Sequence, residues 1–144
     1  FIGNLFTKPG ALSILGTPID LSQVGCDKYV VAGVTDHITP WKGAYHSACL
    51  FGGKTEFVLG SSGHIQSIIN PPGNPKAKFY LGPALPADTE QWLAAAQPVS
   101  GSWWDHWRQW LAERSGDKAA APAVLCSERY RPGVKAPGTY VLEP

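Results

Sequence analysis

The sequence has no methionine, only three cysteines and four histidines among 144 residues, and little charge of either sign. A chain that starts at Phe1 without any methionine is expected to be a fragment of a longer gene product. The three cysteines, Cys26, Cys49 and Cys126, have no CxxC spacing and cannot all pair within one chain. That pattern favours a reducing, cytoplasmic setting over a disulfide scaffold. Charged residues make up 16% and the net charge is +1, so no electrostatic pull toward nucleic acid or an acidic membrane is expected. A bilayer-crossing helix needs about 20 consecutive apolar residues, and no such run occurs, so no transmembrane segment is expected.

What is present suits a folded domain. Hydrophobic residues make up 44%, enough for one ordinary core. Lys28-Tyr-Val-Val-Ala-Gly33 is a short apolar run ending in glycine, the pattern of a buried parallel strand. Thr39-Pro40 reads as an N-cap with proline at the first helical position, followed by the helical stretch WKGAYHSACLF. Gly52-Gly53 stops that helix, and Lys54–Leu59 reads as the next strand. Strand, helix and strand make one βαβ unit of a larger parallel sheet. Two strands do not form a stable sheet alone, so others are expected upstream.

Beyond residue 70 the texture changes. Asn70-Pro-Pro-Gly-Asn-Pro75 is a turn-rich connector. Asp88 can cap a helix over TEQWLAAAQ, with Gln91 at the capping-box position, and Ser102 can cap a second over WWDHWRQWLAER. Residues 119–144 are rich in alanine, proline and glycine and read as extended. The expected division is 1–80 for the sheet-bearing part and 81–144 for a helical extension and tail of the same domain.

The chemistry gathers at the ends of the two predicted strands. Asp36 follows the first, where open α/β sheets place their sites. His64 follows the second in the loop GSSGHIQS, 28 residues after Asp36, about one helix-containing crossover. If the strands are adjacent, the two side chains emerge together as the acid–base half of a catalytic triad. In α/β-hydrolases the order is nucleophile, acid, histidine, so the nucleophile belongs upstream of Asp36. No Gly-x-Ser-x-Gly or Gly-x-Cys-x-Gly occurs. Cys26 and Cys49 read as inert packing residues. The fold expected is therefore α/β, the carboxy-terminal part of an α/β-hydrolase fold with its nucleophile elbow missing.

Four segments, VAGVTDHITPW, FVLGSSGHIQSIINPPGNPKAKFY, GSWWDHWRQWL and APGTYV, resemble the carboxy-terminal region of polyhydroxyalkanoate synthases in the same order. The resemblance runs from about Gly16 to Val141 and is nearest the single-subunit, medium-chain-length type. It implies that Asp36 and His64 are the catalytic aspartate and histidine, partnered by a cysteine in a Gly-x-Cys-x-Gly box that this chain lacks. It implies polymerisation of (R)-3-hydroxyacyl groups from coenzyme A thioesters, with release of coenzyme A, at the surface of cytoplasmic polyester granules. The implied partners are the hydroxyacyl-CoA substrate, the polyester chain, the remainder of the catalytic domain and, in some settings, a homodimer mate. No cofactor is implied, and the isolated chain is expected to be inactive. The alternatives are a fragment of a lipase or esterase, or a non-catalytic granule-binding or assembly module.

Blander readings stand beside these. Asp36 could cap the helix near Pro40, and His64 alone would default to a solvated loop residue. His37 reads as supporting the site at most, and His46 and His106 lack ligand-like partners, so no metal site is expected. Trp103, Trp107, Trp110 and Leu111 fall on one helical stripe, predicted to pack on the sheet, with an aromatic docking surface as the alternative. Arg108 and Arg114 read as solvated charges.

Overall fold

The computed structural model describes residues 2–85 and 88–144. Two-residue strands β1 (Ser13–Ile14) and β2 (Thr17–Pro18) pair as a small antiparallel hairpin. Then follow β3 (Lys28–Gly33), α1 (Trp41–Leu50), β4 (Thr55–Gly60) and α2 (His64–Ile68). The series closes with β5 (Lys78–Leu81), α3 (Thr89–Ala95), β6 (Gln97–Ser100) and α4 (Trp103–Ala112).

The strands β3 and β4 are parallel and adjacent, with Tyr29 opposite Glu56 and Gly33 opposite Gly60, as the βαβ reading requires. The α/β class stands, but the sheet is mixed. Its order is β3-β4-β5-β6, and both β5 and β6 run antiparallel to their neighbours. Neither strand carries a clear strand signal in the sequence. The helix expected over TEQWLAAAQ ends at Ala95, short of Gln97, and Gln97–Ser100 forms an edge strand. Pro98 lies in that strand opposite Tyr80, a position open to proline because an edge strand leaves one side of its backbone unpaired.

Side-chain alternation gives the sheet two covered faces. On one, Val30, Ala32, Phe57, Leu59 and Tyr80 meet Trp41 and Tyr45 of α1 and Trp92 of α3. Phe57 and Trp92 touch edge to face at 5.1 Å between ring centres, as do Tyr45 and Phe57. Burying each such ring contributes about 1.5–3 kcal/mol, and the edge geometry about 0.5–1.5 kcal/mol more. Burial also pushes the Tyr45 hydroxyl up to about 12.

On the other face lies α4, and here the expected stripe is corrected. Trp107 and Leu111 are 41% and 36% exposed, and no residue of the helix is fully buried. The side chains that meet the sheet are Trp103, His106 and Trp110, all against Tyr29. The ring of His106 meets the Tyr29 hydroxyl at 2.8 Å through Nδ1. Arg114 is not a solvated charge either. It donates twice to Asp27 Oδ2, at 3.0 and 2.8 Å, and stacks on Trp110 at 4.1 Å.

The caps at Asp88 and Ser102 form as read, accepting from the Glu90 and Trp104 N–H groups. The cap at Thr39 does not form, because Pro40 occupies the N-cap position of α1. Cys26 and Cys49 are exposed rather than packed, and all three cysteines are free. The chain divides into two units, Phe1–Arg114 and Ser115–Pro144. The second alternates bends, turns and irregular stretches, with a single 3-10 turn at Tyr140–Leu142, and is not a continuous extended run. No helix among the described residues is long and apolar enough to cross a membrane.

Candidate active site

The two strand ends are stitched before any side chain is considered. Val34 N–H donates to Gly60 O at 2.9 Å and Thr35 N–H to Ser62 O at 3.2 Å, joining the loop after β3 to the loop after β4. Both strands end in glycine for a steric reason. A Cβ on Gly33 would stand 2.8 Å from Ser67 Oγ, and one on Gly60 2.8 Å from Ser67 Cβ. The glycine pair leaves a seat for Ser67, which is buried and accepts the Ser62 N–H through Oγ at 3.1 Å. The helix α2 thus rests on the ends of both strands, and its first residue is His64. GSSGHIQS, expected as a loop, is helical from His64. The short helix forms there because contacts with the sheet hold it, since one turn has little helical stability of its own.

His64 and Asp36 come together as expected, with Nδ1 of the histidine 2.8 Å from Oδ2 of the aspartate. The Asp36 side chain is 5% exposed and that of His64 43% exposed. Oδ1 of Asp36 accepts the N–H groups of Ile38 and Thr39 at 2.9 and 2.8 Å, and Oδ2 also accepts the Thr39 hydroxyl at 2.7 Å. Burial alone would raise the carboxyl pKa. The bonds from Thr39, His64 and Ile38 outweigh it and hold the group well below the usual carboxylate range. Asp36 is therefore an ionised acceptor with both oxygens occupied, and its second neighbour is the imidazole. It orders its own loop as well, so the capping reading and the dyad reading describe the same carboxylate.

With Nδ1 at Asp36, Nε2 of His64 has no hydrogen-bond partner among the described residues. The ring borders a shallow, largely apolar concavity of about 260 Å³ with His37, Ile38, Gly63, Ile65 and Gln66. His37 lines this hollow but does not join the dyad. Geometry of this kind can take a proton at Nε2 while the carboxylate fixes the tautomer and stabilises the cation. Neither Cys26 nor Cys49 joins it. Desolvation pushes the Cys49 thiol up, the opposite of activation. No cluster of metal-ligating side chains occurs among the described residues.

Some residues at the site escaped the sequence reading. Thr39, expected as a helix cap, instead donates to Asp36 through its N–H and hydroxyl. Ser67 carries no functional signal in the sequence and is the buried seat of α2. The available signal was the glycine closing each strand, GVTD after one and GSSG after the other.

The chain is thus a mixed α/β protein that presents an aspartate–histidine dyad at the carboxyl edge of two parallel strands. No protein-family model matches it. It is 55% identical over 143 residues to poly(3-hydroxyalkanoate) polymerase 1 of Ectopseudomonas oleovorans, covering 99% of this chain and 26% of that protein. It is 44% identical over 141 residues to the poly(3-hydroxyalkanoate) polymerase subunit PhaC of Cupriavidus necator, covering 98% of this chain and 24% of that protein. The chain belongs to the poly(3-hydroxyalkanoate) polymerase family, and it spans about a quarter of the length of these relatives. The family read from the four motifs is borne out.

Proposed function

We propose that this chain is the carboxy-terminal, Asp36- and His64-bearing part of an α/β-hydrolase-fold acyltransferase. The whole enzyme polymerises (R)-3-hydroxyacyl groups from coenzyme A thioesters into polyhydroxyalkanoate at the surface of cytoplasmic granules. The observation that carries this reading is the 2.8 Å contact between His64 Nδ1 and an aspartate already saturated by Thr39 and Ile38. A thiol from a cysteine upstream of this segment would complete the site. His64 Nε2 takes the thiol proton, and the thiolate attacks the thioester carbonyl. The carbon–sulfur bond to coenzyme A breaks, and the protonated imidazole returns a proton to the departing thiolate. In the second half, the same nitrogen takes the proton of a 3-hydroxyl group, whose oxygen attacks the enzyme-held acyl carbon; the carbon–sulfur bond to the cysteine breaks as the ester forms, and the imidazolium returns its proton to the released thiolate. Asp36 moves no proton. It keeps Nδ1–H pointed away from the reaction and stabilises the imidazolium. The exposed Ile38 and Ile65 side chains beside His64 offer an apolar wall for an acyl chain.

The test is His64→Gln in a polymerase that carries this segment, with coenzyme A release as the readout. Glutamine keeps a polar side chain but cannot serve as the base, so the rate should fall by about 10²–10⁴ or more, the usual worth of a positioned base. Asp36→Asn should cost a comparable factor through the wrong tautomer. A near-parental rate for His64→Gln removes the histidine from the mechanism.

A further inference from the structure

The helix that carries His64 has only one turn, and forming such a turn fixes several residues for very few hydrogen bonds. Ser67 N–H donates to Gly63 O at 3.0 Å and Ile69 N–H to Ile65 O at 2.8 Å. The carbonyls beyond these are left at the carboxyl end without intrahelical donors. Trp103 and Trp104, the first two residues of α4, supply donors to two of them, and Ser102, which caps α4, bonds the segment just beyond. Trp103 Nε1–H donates to Ser67 O at 2.6 Å, and Trp104 Nε1–H donates to Ile68 O at 3.0 Å. The buried Ser102 hydroxyl donates to Asn70 O while accepting Trp104 N–H at 3.0 Å, so the residue that caps α4 also caps the segment leaving α2.

The donor end is itself fixed. Tyr29 binds His106 and packs on Trp103 and Trp110, while Arg114 ties the far end of α4 to Asp27. An indole N–H can only donate, so both tryptophans spend their single polar group on the backbone of α2. A docking surface that used those polar groups would have to release the helix.

We propose that Ser102, Trp103 and Trp104 are positioning residues for His64. They cap the far end of the one-turn helix that begins with the histidine, and so hold Nδ1 against Asp36. This rests on reading His64 as the base, but the geometry it asserts is measurable without catalysis.

The test follows the His64 Nδ1 proton by nitrogen-15 NMR in the 144-residue chain, assigned by its loss in His64→Gln. Trp103→Phe with Trp104→Phe keeps two aromatic rings and removes both donors. Each lost bond is worth about 0.5–1.5 kcal/mol, so exchange of that proton should quicken by about tenfold or more. Amides of β3 and β4 should keep parental protection, which a general loss of stability would not allow. Trp107→Phe, which alters no donor to α2, should leave the signal unchanged. Unchanged exchange in the folded double variant overturns the proposal, as does absence of a protected Nδ1 proton in the parent. Should the double variant not fold, Trp104→Phe alone should quicken exchange about threefold, and no change there overturns it. A polymerase that stays active with His64→Gln would refute the catalytic reading while leaving this result standing.

Discussion

Adding one methyl group at Gly60 should disturb both the stability of the fold and the dyad, through a single contact. A Cβ there would stand 2.8 Å from Ser67 Cβ, 2.9 Å from its Oγ and 3.3 Å from its Cα. Ordinary carbon–carbon contact needs about 3.5–4.0 Å, so Ser67 must retreat by roughly 1 Å. Rotating its side chain cannot relieve this, because Cβ and backbone are among the clashing atoms. The retreat must therefore move α2, and with it His64, three residues earlier on the same turn. Overpacking of this kind costs about 1–3 kcal/mol. A 1 Å shift would also stretch the 2.8 Å contact between His64 and Asp36 beyond hydrogen-bond length. The assay is a double-mutant cycle in urea with Gly60→Ala, Ser67→Gly and the pair, alongside the His64 Nδ1 proton signal. Removing the Ser67 side chain should recover part of the loss, giving a coupling of about 1–2 kcal/mol. Strict additivity, or a Gly60→Ala chain with parental midpoint and parental Nδ1 signal, would refute the seat argument.

The remaining expectations are more local. Trp107→Ala should destabilise by no more than about 1 kcal/mol because the ring is substantially exposed, whereas Trp110→Ala should cost about 2–4 kcal/mol by removing contacts with Tyr29 and Arg114; equal midpoints in urea would reject the revised stripe. Because the Asp36 carboxyl titrates in the fold below its ordinary 3.8, an unfolded chain takes up a proton there that the folded chain refuses. The part of the parent's stability advantage over Asp36→Asn that comes from this carboxyl should therefore shrink as pH falls from about 5 through the range below that value. Asp20 and Asp27 are depressed too, which is why the difference between the two chains, not the parent alone, is the measurement. The isolated 144-residue chain should release no coenzyme A from hydroxyacyl thioesters, and turnover that survived replacement of Cys26, Cys49 and Cys126 by alanine would contradict the need for an upstream thiol.

Local signals account for what could be read from the sequence. The strand β3 reads directly because Tyr-Val-Val-Ala is apolar throughout and ends in glycine, and Asp88 and Ser102 each stand just before a helical run. The dyad was legible for a topological reason: one crossover joins Asp36 to His64, and parallel neighbours bring their carboxyl ends to the same edge. The strands β5 and β6 were not legible. Each has four residues, and one contains proline, so their identity lies in the partner strand. The same holds for α2. Gly-Ser-Ser-Gly-His has no helical preference, and only Ser67 beneath it and the tryptophans beyond it make the turn worth forming.

The tryptophan helix shows why a hydrophobic stripe can point in the wrong direction. Ranking residues by apolarity selects Trp103, Trp107, Trp110 and Leu111. The face that meets the sheet instead runs through Trp103, His106 and Trp110 and is continued by Arg114 beyond the end of α4, where half the positions are polar. Apolar burial does not decide the orientation by itself because the sheet face opposite is not purely apolar. Tyr29 presents a hydroxyl that would be costly to bury without a partner, and His106 supplies it. Asp27 sits where only a guanidinium can meet its carboxylate twice from the end of the helix. With those two contacts made, Trp107 is turned outward, and Trp103 and Trp104 are turned toward the carbonyls of α2. The rotation of α4 is thus set by the polar groups opposite it, and that same rotation brings two indole donors to the helix carrying His64.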